Sequence, residues 1–496
     1  MKYILYIFLS CILITGIISC NKWLDVKPQD GIIRDNYWKT KEQLQAAVIG
    51  IYASLLDNSL VQDLFVWGEL RGDMVVSTQF TSTDEINIMQ DNILASNSYT
   101  DWSPVYRTIN YCNTVIDFGP SVLQNDPTLS KDQLNAYLAE AYAIRSLMYF
   151  YLLRTFGEVP LQLKATSSDS LIQRIPKSPQ QEVYQQIMND LHFAQEYAPY
   201  TYGDKNEDKG RITRYTVFAI EADAYLWMDQ YDSCIAMCDS IINSQRFGLV
   251  DGTNQADWFN TLYYKGNSVE SIFEFQFDQQ KLNPFYNLLI SGTRHFVAAP
   301  TVMDEVFGID MMDPNNKDIR GDGGSVNAID GTIWKYAGAT SGANMIMRTA
   351  DQSYAHWFVY RYADILLMKA EALAWVGRGQ EALDLINMVR TRAHALDFTA
   401  ESPDPNSPED ISTYILDERA REFAYEGKRW FDILRICKRN NYELINLLLN
   451  AVIKNVPGYL QQSVMNKYKD VRSHYLPINQ NELLVDPNLK QNPFYQ

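Results

Sequence analysis

The sequence predicts a mostly α-helical protein in which antiparallel helical hairpins alternate with long irregular loops and a few short β-strands. Residues 361–393 carry apolar side chains at helical spacing on both sides of a break at Gly377 and Gly379. These apolar positions are Ile365, Leu366, Leu373, Val376, Leu383, Ile386 and Val389. Two helices of about 16 residues joined by a tight glycine turn form a hairpin of the tetratricopeptide (TPR) type.

A second stretch, 211–243, repeats this hairpin in degenerate form. With Asp229 set against Gly377, the aligned pairs are Cys234 with Ala382, Cys238 with Ile386, and Ile241 with Val389. No histidine lies near the two cysteines in sequence. We therefore expect Cys234 and Cys238 to pack on one helix face and not to bind a metal.

Further helices precede this hairpin. Residues 41–56 form an amphipathic helix, with one apolar face made by Leu44, Ala47, Val48, Ile51 and Leu55. Helical patterns also cover 102–117, 132–156 and 179–197, where Pro179 suits a first helical turn. Together these segments bring the expected number of TPR-like hairpins to about four.

Two segments have no clear helical pattern. Residues 57–100 and 253–296 mix aromatic side chains with Ser, Thr, Asn and Asp, and long irregular segments in compact proteins are often functional. Within the second, 271–278 alternates like a strand through Ile272, Phe273, Phe275 and Phe277.

Residues 418–435 are predicted to be helical, with an aromatic seam and a dense polar face. The seam consists of Phe423, Trp430, Phe431 and Leu434, and the polar face of Arg419, Arg421, Glu422, Glu426, Lys428 and Arg429. We expect these charges to pair where helices meet. The carboxylates Glu418 and Glu422 are accordingly interpreted as ion-pair partners.

Composition and motifs exclude several classes of function. A net charge of −17 argues against nucleic acid as a partner, since phosphate binding needs clustered Lys and Arg. The five histidines are scattered, and no HExxH, GxSxG, P-loop or GxGxxG motif in its required context occurs. The sequence therefore predicts a binding protein that is not an enzyme, without a metal or cofactor. The 32 tyrosines favour a wet binding surface or helix crossings.

The N-terminus has the pattern of a lipoprotein. Met1 and Lys2 precede an apolar run over 3–18, shorter than the roughly 20 residues that span a bilayer. The run ends Ile17-Ile18-Ser19-Cys20, similar to a bacterial lipobox, and a polar tether follows. We expect Cys20 to be acylated, so that a lipid attaches the mature protein to a membrane.

Several phrases resemble the SusD/RagB family of outer-membrane nutrient-binding lipoproteins. RYADILLMKAEAL at 361–373, followed by ERAREFAYEGKRWFDILR at 418–435, is similar to that family's C-terminal signature. Other matching phrases occur in the family's order along nearly all of the mature chain. They include LDVKPQD at 24–30; Trp102, Tyr106, Ile109 and Asn113; Arg145, Tyr149, Phe150, Phe156, Gly157, Val159 and Pro160; Asp304, Phe307, Asp310, Asp318 and Arg320; and 474–496. In the last phrase Asn479 and Asp486 depart from the family pattern.

The resemblance implies a SusD-like fold and a place at the cell surface. It divides the chain into a signal peptide at 1–19, the lipidated cysteine and tether at 20–40, an N-terminal helical part at 41–250 and a C-terminal part at 251–496, the last two packed as one unit. It also implies lipid attachment to the outer membrane of a Gram-negative bacterium and a SusC-like TonB-dependent β-barrel as partner. The expected ligand is an oligosaccharide. A peptide ligand and a TPR scaffold that binds another protein are the alternatives.

Candidate ligand-binding residues lie in segments that match no scaffold phrase. Sugars stack on Trp and Tyr rings while neighbouring polar groups bind their hydroxyls. The candidates are Trp67, Arg71, Trp258, Tyr263, Tyr264, Tyr286 and Arg294. By contrast, Trp102, Trp334, Trp357 and Trp430 are assigned to packing.

Overall fold

A computed structural model of the chain describes residues 37–167, 173–313, 315–341 and 344–496. The predicted signal peptide, Cys20 and most of the tether therefore lie outside the described residues. The α-helices are α1 Lys41–Leu55, α2 Asn58–Glu69, α3 Thr83–Met89, α4 Ser103–Asn125, α5 Lys131–Phe156, α6 Gln180–Tyr197, α7 Lys205–Gly210, α8 Arg214–Trp227, α9 Tyr231–Ile242, α10 Gln255–Phe259, α11 Tyr362–Trp375, α12 Gly379–Arg392, α13 Pro408–Glu422, α14 Arg429–Cys437, α15 Ile445–Lys454, α16 Gly458–Tyr468 and α17 Gln480–Val485.

The predicted hairpins form one continuous helical array, which confirms the mostly α-helical fold class. α1 packs on α4, α5 on α6, α8 on α9, and α11 on α12. Successive pairs also touch through α4 and α5, α6 and α8, and α9 and α11, so the array runs from residue 41 to residue 392. Asp229 and Gly377, aligned from the sequence, both adopt a positive φ at the hairpin turn, +57° and +76°.

Side chains at the helix ends define where the helices begin. The Thr40 hydroxyl accepts a hydrogen bond from the Gln43 backbone N–H while the Gln43 side chain bonds back to Thr40, a complete capping box for α1. At the start of α5 the Ser130 hydroxyl accepts a hydrogen bond from the Gln133 backbone N–H. These caps stabilise the two helices that begin the first and second hairpins.

The prediction of continuous helix over 418–435 is wrong at its centre, because α13 ends at Glu422 and α14 begins at Arg429. Between them Tyr425 and Gly427 adopt positive φ values of +64° and +67°. This turn touches α2: a Cβ added to Gly68 would lie 1.7 Å from the Gly427 carbonyl oxygen. The Gly427 N–H also donates to Glu69 at 3.1 Å. A tertiary contact therefore breaks a pattern that is locally helical.

Residues 57–100, predicted to be irregular, contain α2 and α3. Nearly every residue of α2 from Leu60 onwards is buried. The buried residues include Asp63 and Glu69 as well as the apolar ones, so the polar residues of this helix do not mark a face exposed to water. The remainder of the segment is loop, with one short strand.

Three two-stranded antiparallel sheets complete the described structure. β1 (Val75–Ser77) pairs with β3 (Phe296–Ala298), placing Val76 opposite Val297. β2 (Ser271–Phe275) pairs with β6 (Trp357–Arg361), and β4 (Gly338–Ser341) with β5 (Asn344–Met347). β2 confirms the strand predicted at 271–278, although all five of its residues are buried.

In the described ranges no single helix is long and apolar enough to cross a membrane. Helices α1 and α2 reach the length and apolar composition of a membrane span only when taken together, and their axes are bent by 50°. One apolar core extends from Trp38 to Leu489. A smaller core lies around Trp258 and Phe358.

Candidate functional site

The two segments that the sequence singles out meet on one face of the molecule. Pairing of β1 with β3 brings 75–82 beside 291–298. The Thr78 hydroxyl donates to the Arg294 carbonyl at 2.6 Å, and the His295 ring nitrogen Nδ1 lies 2.8 Å from Glu85. Loops from distant parts of the sequence are thereby fixed to a helical frame, as in many binding surfaces.

Trp67 and Arg71, two of the predicted ligand-binding residues, are buried. The Trp67 indole N–H donates to the Tyr99 carbonyl at 2.8 Å, and its ring meets Phe156 edge-on at 5.4 Å. Arg71 donates to the His474 carbonyl at 2.8 Å. Since both side chains are at most 2 % exposed, they present no surface to a ligand in this structure.

Trp258 and Tyr263 are also buried, in the smaller core. Their rings meet edge-on at 5.4 Å, and the Tyr263 hydroxyl points to Glu426 at 3.4 Å. The four tryptophans assigned to packing, Trp102, Trp334, Trp357 and Trp430, are buried as well, which confirms that assignment. Tertiary packing thus removes four of the seven candidate side chains from the surface.

Tyr264, Tyr286 and Arg294 remain partly exposed. Tyr264 ends a short π-helix, Asn260–Tyr264, that contacts β4. Tyr286 begins another, Tyr286–Ile290, and its backbone N–H donates to the Ser353 hydroxyl at 3.1 Å. Arg294 follows the second π-helix by four residues, with its guanidinium 3.6 Å from Asp330.

Tyr354 belongs to this surface and Arg348 lies buried behind it, and the sequence reasoning selected neither. The Arg348 guanidinium lies 4.5 Å from the Tyr264 ring centroid and 5.1 Å from that of Tyr354. Tyr354 is partly exposed like Tyr264. Trp67 with Arg71 was selected as an aromatic side chain near an arginine outside the scaffold phrases. The same rule would also have found Tyr354 with Arg348. We call Tyr264, Tyr286, Arg348 and Tyr354 the tyrosine face.

Backbone contacts hold the tyrosine face in place. Arg348 donates to the carbonyls of Gly338, Gln352 and Tyr264 at 3.0–3.1 Å. The Ser353 hydroxyl donates to Asn283 at 2.6 Å, which fastens the loop before β6 to the π-helix at Tyr286. The rings are therefore carried on braced loops and can offer a preformed stacking surface.

The charged residues of the 418–435 segment form a buried ion-pair network, as expected. Arg361 lies at its centre and donates to Glu270 at 2.5 Å, Glu422 at 2.6 Å and Glu426 at 3.0 Å. Arg320 bridges Glu418 at 2.6 Å and Glu422 at 2.8 Å. The network joins α13 to β6 and to the loop that carries Arg320.

Electrostatics indicate that this network is structural. Burial raises the pKa of Glu426, but the charges of Arg361 and Lys335 outweigh burial and hold that pKa at about 2. For Lys335, burial prevails over the attraction of Glu426 and lowers the pKa to about 8. A carboxylate held ionised and saturated by cations cannot donate a proton near neutral pH, so it does not serve as a general acid.

The two cysteines at helical spacing pack in the core. Cys234 and Cys238 lie in α9, which contacts α11, and the Cys234 thiol is 3.9 Å from the Met368 carbonyl. Throughout the described ranges, no three His, Cys, Asp or Glu side chains come together in a group that could hold a metal ion.

Two clefts of the molecule are lined by residues outside the tyrosine face. One of about 660 Å³ opens between α1 and α4, and another of about 410 Å³ is lined by Tyr200, Tyr215, Phe247 and Arg246. The Arg214 guanidinium lies 4.5 Å from the ring centroid of Tyr200, which lines the second cleft. This Tyr–Arg pair resembles the one at Tyr264 but belongs to the helical frame.

Comparison with known proteins gives consistent matches. The model of the SusD family matches 311–495, and a model described as starch-binding associating with outer membrane matches 22–226. SusD-like protein P38 of Formosa agariphila is 27% identical over 480 residues, covering 88% of this chain and 92% of its own. SusD-like protein P2 of the same organism is 26% identical over 477 residues, covering 86% and 89%. A SusD superfamily structure from Bacteroides vulgatus superposes with a TM-score of 0.73 at 20% identity, covering 92% of this chain and all of the other.

Proposed function

Since the chain belongs to the SusD family, a family of nutrient-binding proteins, we propose that it captures an oligosaccharide at the cell surface and delivers it to a SusC-like TonB-dependent outer-membrane transporter. The capture step involves binding without catalysis. The carboxylates of Glu270, Glu422 and Glu426 are committed to the structural network around Arg361.

The tyrosine face is the observation that supports a glycan ligand. Partly exposed Tyr264 and Tyr354 flank a guanidinium, and Tyr286 lies on the adjoining loop. A pyranose ring can lay its apolar face on a tyrosine ring while its hydroxyls reach polar groups at the ring edges. Arg294, four residues after the π-helix that begins at Tyr286, and its partner Asp330 provide such groups.

Placement at the outer membrane is supported by the description of the matching family. We propose that acylation of Cys20 attaches the protein there and that residues 21–40 form a tether. A protein attached through lipid alone cannot carry a ligand across a membrane. A transporter partner is therefore part of the proposal.

Affinity measurements against a glycan panel test the ligand proposal. We expect Tyr264→Ala and Tyr354→Ala each to weaken binding of the best glycan about fivefold to tenfold, since an aromatic contact contributes about 1 kcal/mol and 1.4 kcal/mol is tenfold. Tyr200→Ala is the matched control, because it removes an exposed, arginine-stacked tyrosine elsewhere. It should leave affinity unchanged.

Two results would contradict the proposal. Unchanged affinity in both face variants would remove the tyrosine face as the site. Binding of peptides from a random library, with no binding of any glycan, would replace the glycan by the peptide ligand considered from the sequence.

A further inference from the structure

Buried arginines in this protein are almost always paired with carboxylates. The described ranges contain twelve buried arginines, and ten of them form salt bridges with Asp or Glu. The ten are Arg145, Arg154, Arg320, Arg361, Arg390, Arg419, Arg421, Arg429, Arg435 and Arg439. This follows the general rule that a charge removed from water needs a counter-charge.

Arg71 is the first exception, and a carboxylate lies in its surroundings. Burial lowers the pKa of Arg71, and interactions with Tyr468, Tyr495 and Asp91 partly oppose this. Asp91 is itself buried. The positive charge of Arg71 is thus partly balanced from within the protein.

Arg348 is the second exception, and the described part of the chain gives it no carboxylate partner. Its side chain is 2 % exposed, and its hydrogen bonds go to three neutral carbonyl groups. Burial lowers the pKa of Arg348 to about 10, opposed only by interactions with Tyr264 and Tyr354. Both of these tyrosines belong to the proposed glycan surface.

Neutral donors could have satisfied the three carbonyls without burying a charge. A full charge at this position attracts anions, because tyrosine side chains are uncharged near neutral pH and the three carbonyl dipoles offset a full positive charge only in part. The two partly exposed rings that flank the guanidinium are the route by which a ligand reaches that field.

We propose that the glycan bound at the tyrosine face carries negative charge, as a carboxylate or a sulfate ester, and that Arg348 supplies the missing counter-charge. This inference rests on the proposed glycan-binding function and names the class of glycan. The carboxylate and the sulfate share a full negative charge. Because Arg348 is only 2 % exposed, its guanidinium acts on that charge through its field, from behind the two rings, and not through a direct hydrogen bond.

Matched pairs of glycans test the inference with the wild-type protein. Oligogalacturonides are compared with their methyl esters, and sulfated carrageenan oligosaccharides with their desulfated counterparts. Isothermal titration calorimetry measures each affinity, and neutral malto- and xylo-oligosaccharides are measured in parallel. We expect the charged member of at least one pair to bind about tenfold more tightly, the effect of one close charge interaction. The pair that responds distinguishes the carboxylate from the sulfate.

Variants then locate the preference. Arg348→Gln should abolish the preference for the charged member, and Arg348→Lys should keep most of it. Arg214→Gln is the control, because Arg214 also stacks on a tyrosine and bonds two backbone carbonyls at 2.7 and 3.1 Å. If Arg348→Gln disturbs the loop, both members of a pair weaken equally. The charge preference is then judged from the wild-type protein and from Arg348→Lys, which keeps the positive charge.

The outcomes separate the two proposals. Tight binding of neutral glycans, with no preference for the charged member of any pair, would overturn the inference and leave glycan binding intact. A charge preference that survives in Arg348→Gln, with equal affinities for neutral glycans, would overturn the role of Arg348. Failure to bind any glycan, charged or neutral, would overturn the proposed function and this inference with it.

Discussion

Replacing Glu371 by glutamine should lower the free energy of unfolding by about 3 kcal/mol at pH 7. Glu371 lies in α11 and is fully buried. It accepts hydrogen bonds from Arg435 at 2.7 and 3.0 Å, and Arg439 lies 2.7 Å away. It therefore joins the last hairpin to α14.

The magnitude follows from the pKa of this carboxyl. Burial raises the pKa of Glu371, but Arg435 and Arg439 outweigh burial and bring it to about 2, against 4.5 for an ordinary glutamate. Each unit of this difference is worth about 1.4 kcal/mol, which gives about 3 kcal/mol for the ionised form. The glutamine side chain of the Glu371→Gln variant represents the protonated, uncharged state.

The sign of the pH dependence is fixed by the lowered pKa. The contribution of Glu371 is complete above pH 4.5 and is lost as the pH falls towards 2, because the unfolded chain takes up the proton first. The stability difference between wild type and Glu371→Gln should therefore shrink from about 3 kcal/mol at pH 7 to about 2 kcal/mol at about pH 3.5.

Urea unfolding monitored by tryptophan fluorescence measures this difference at both pH values. Glu381→Gln is the matched control, because Glu381 pairs with Arg378 at 2.6 Å on the exposed surface of the neighbouring helix. That variant should keep the wild-type midpoint, since exposed pairs contribute little. Equal stability of Glu371→Gln and wild type at pH 7, or a difference independent of pH, would refute the reasoning.

Three further predictions concern packing, location and partner. Gly68→Ala should destabilise the protein by about 3 kcal/mol in the same urea assay, because its Cβ would lie 1.7 Å from the Gly427 oxygen, whereas Gly50→Ala, a helical glycine with open space, should be neutral or stabilising. A stable Gly68→Ala variant would contradict the close backbone contact. Cys20→Ala should move the protein from the membrane to the soluble fraction on fractionation, while Cys11→Ala should not; membrane retention of Cys20→Ala would refute lipid attachment. Gentle detergent extraction should recover the wild-type protein with a β-barrel transporter, and repeated recovery of the protein alone would count against that partner.

Much of the helical frame could be predicted from the sequence, because its signals are local. Apolar residues at helical spacing and a turn residue suited to positive φ mark each of the two aligned hairpins, and Asp229 and Gly377 do adopt that conformation. The phrases that resemble the SusD family belong to the same frame. α2 was missed because its polar residues Asp63 and Glu69 are buried like its apolar ones and do not mark an exposed face.

The sequence also predicted that charges in 418–435 would pair, but only the folded chain identifies the partners. Glu422 and Glu426 meet Arg361, about 60 positions earlier in the chain. The break in the helix has the same kind of origin, since Gly427 turns where it meets Gly68.

For the binding face, the sequence determined the segments and the tertiary structure decided which side chains reach the surface. Trp67 and Trp258 satisfied every sequence criterion for a stacking residue, yet both are enclosed in the core. Tyr264 stays partly exposed beside Arg348, 84 positions later in the chain. A tryptophan or tyrosine ring suits a packed interior and a sugar equally well, so its chemistry alone cannot choose between them. Exposure is decided by which distant residues cover the ring, and that depends on long-range packing.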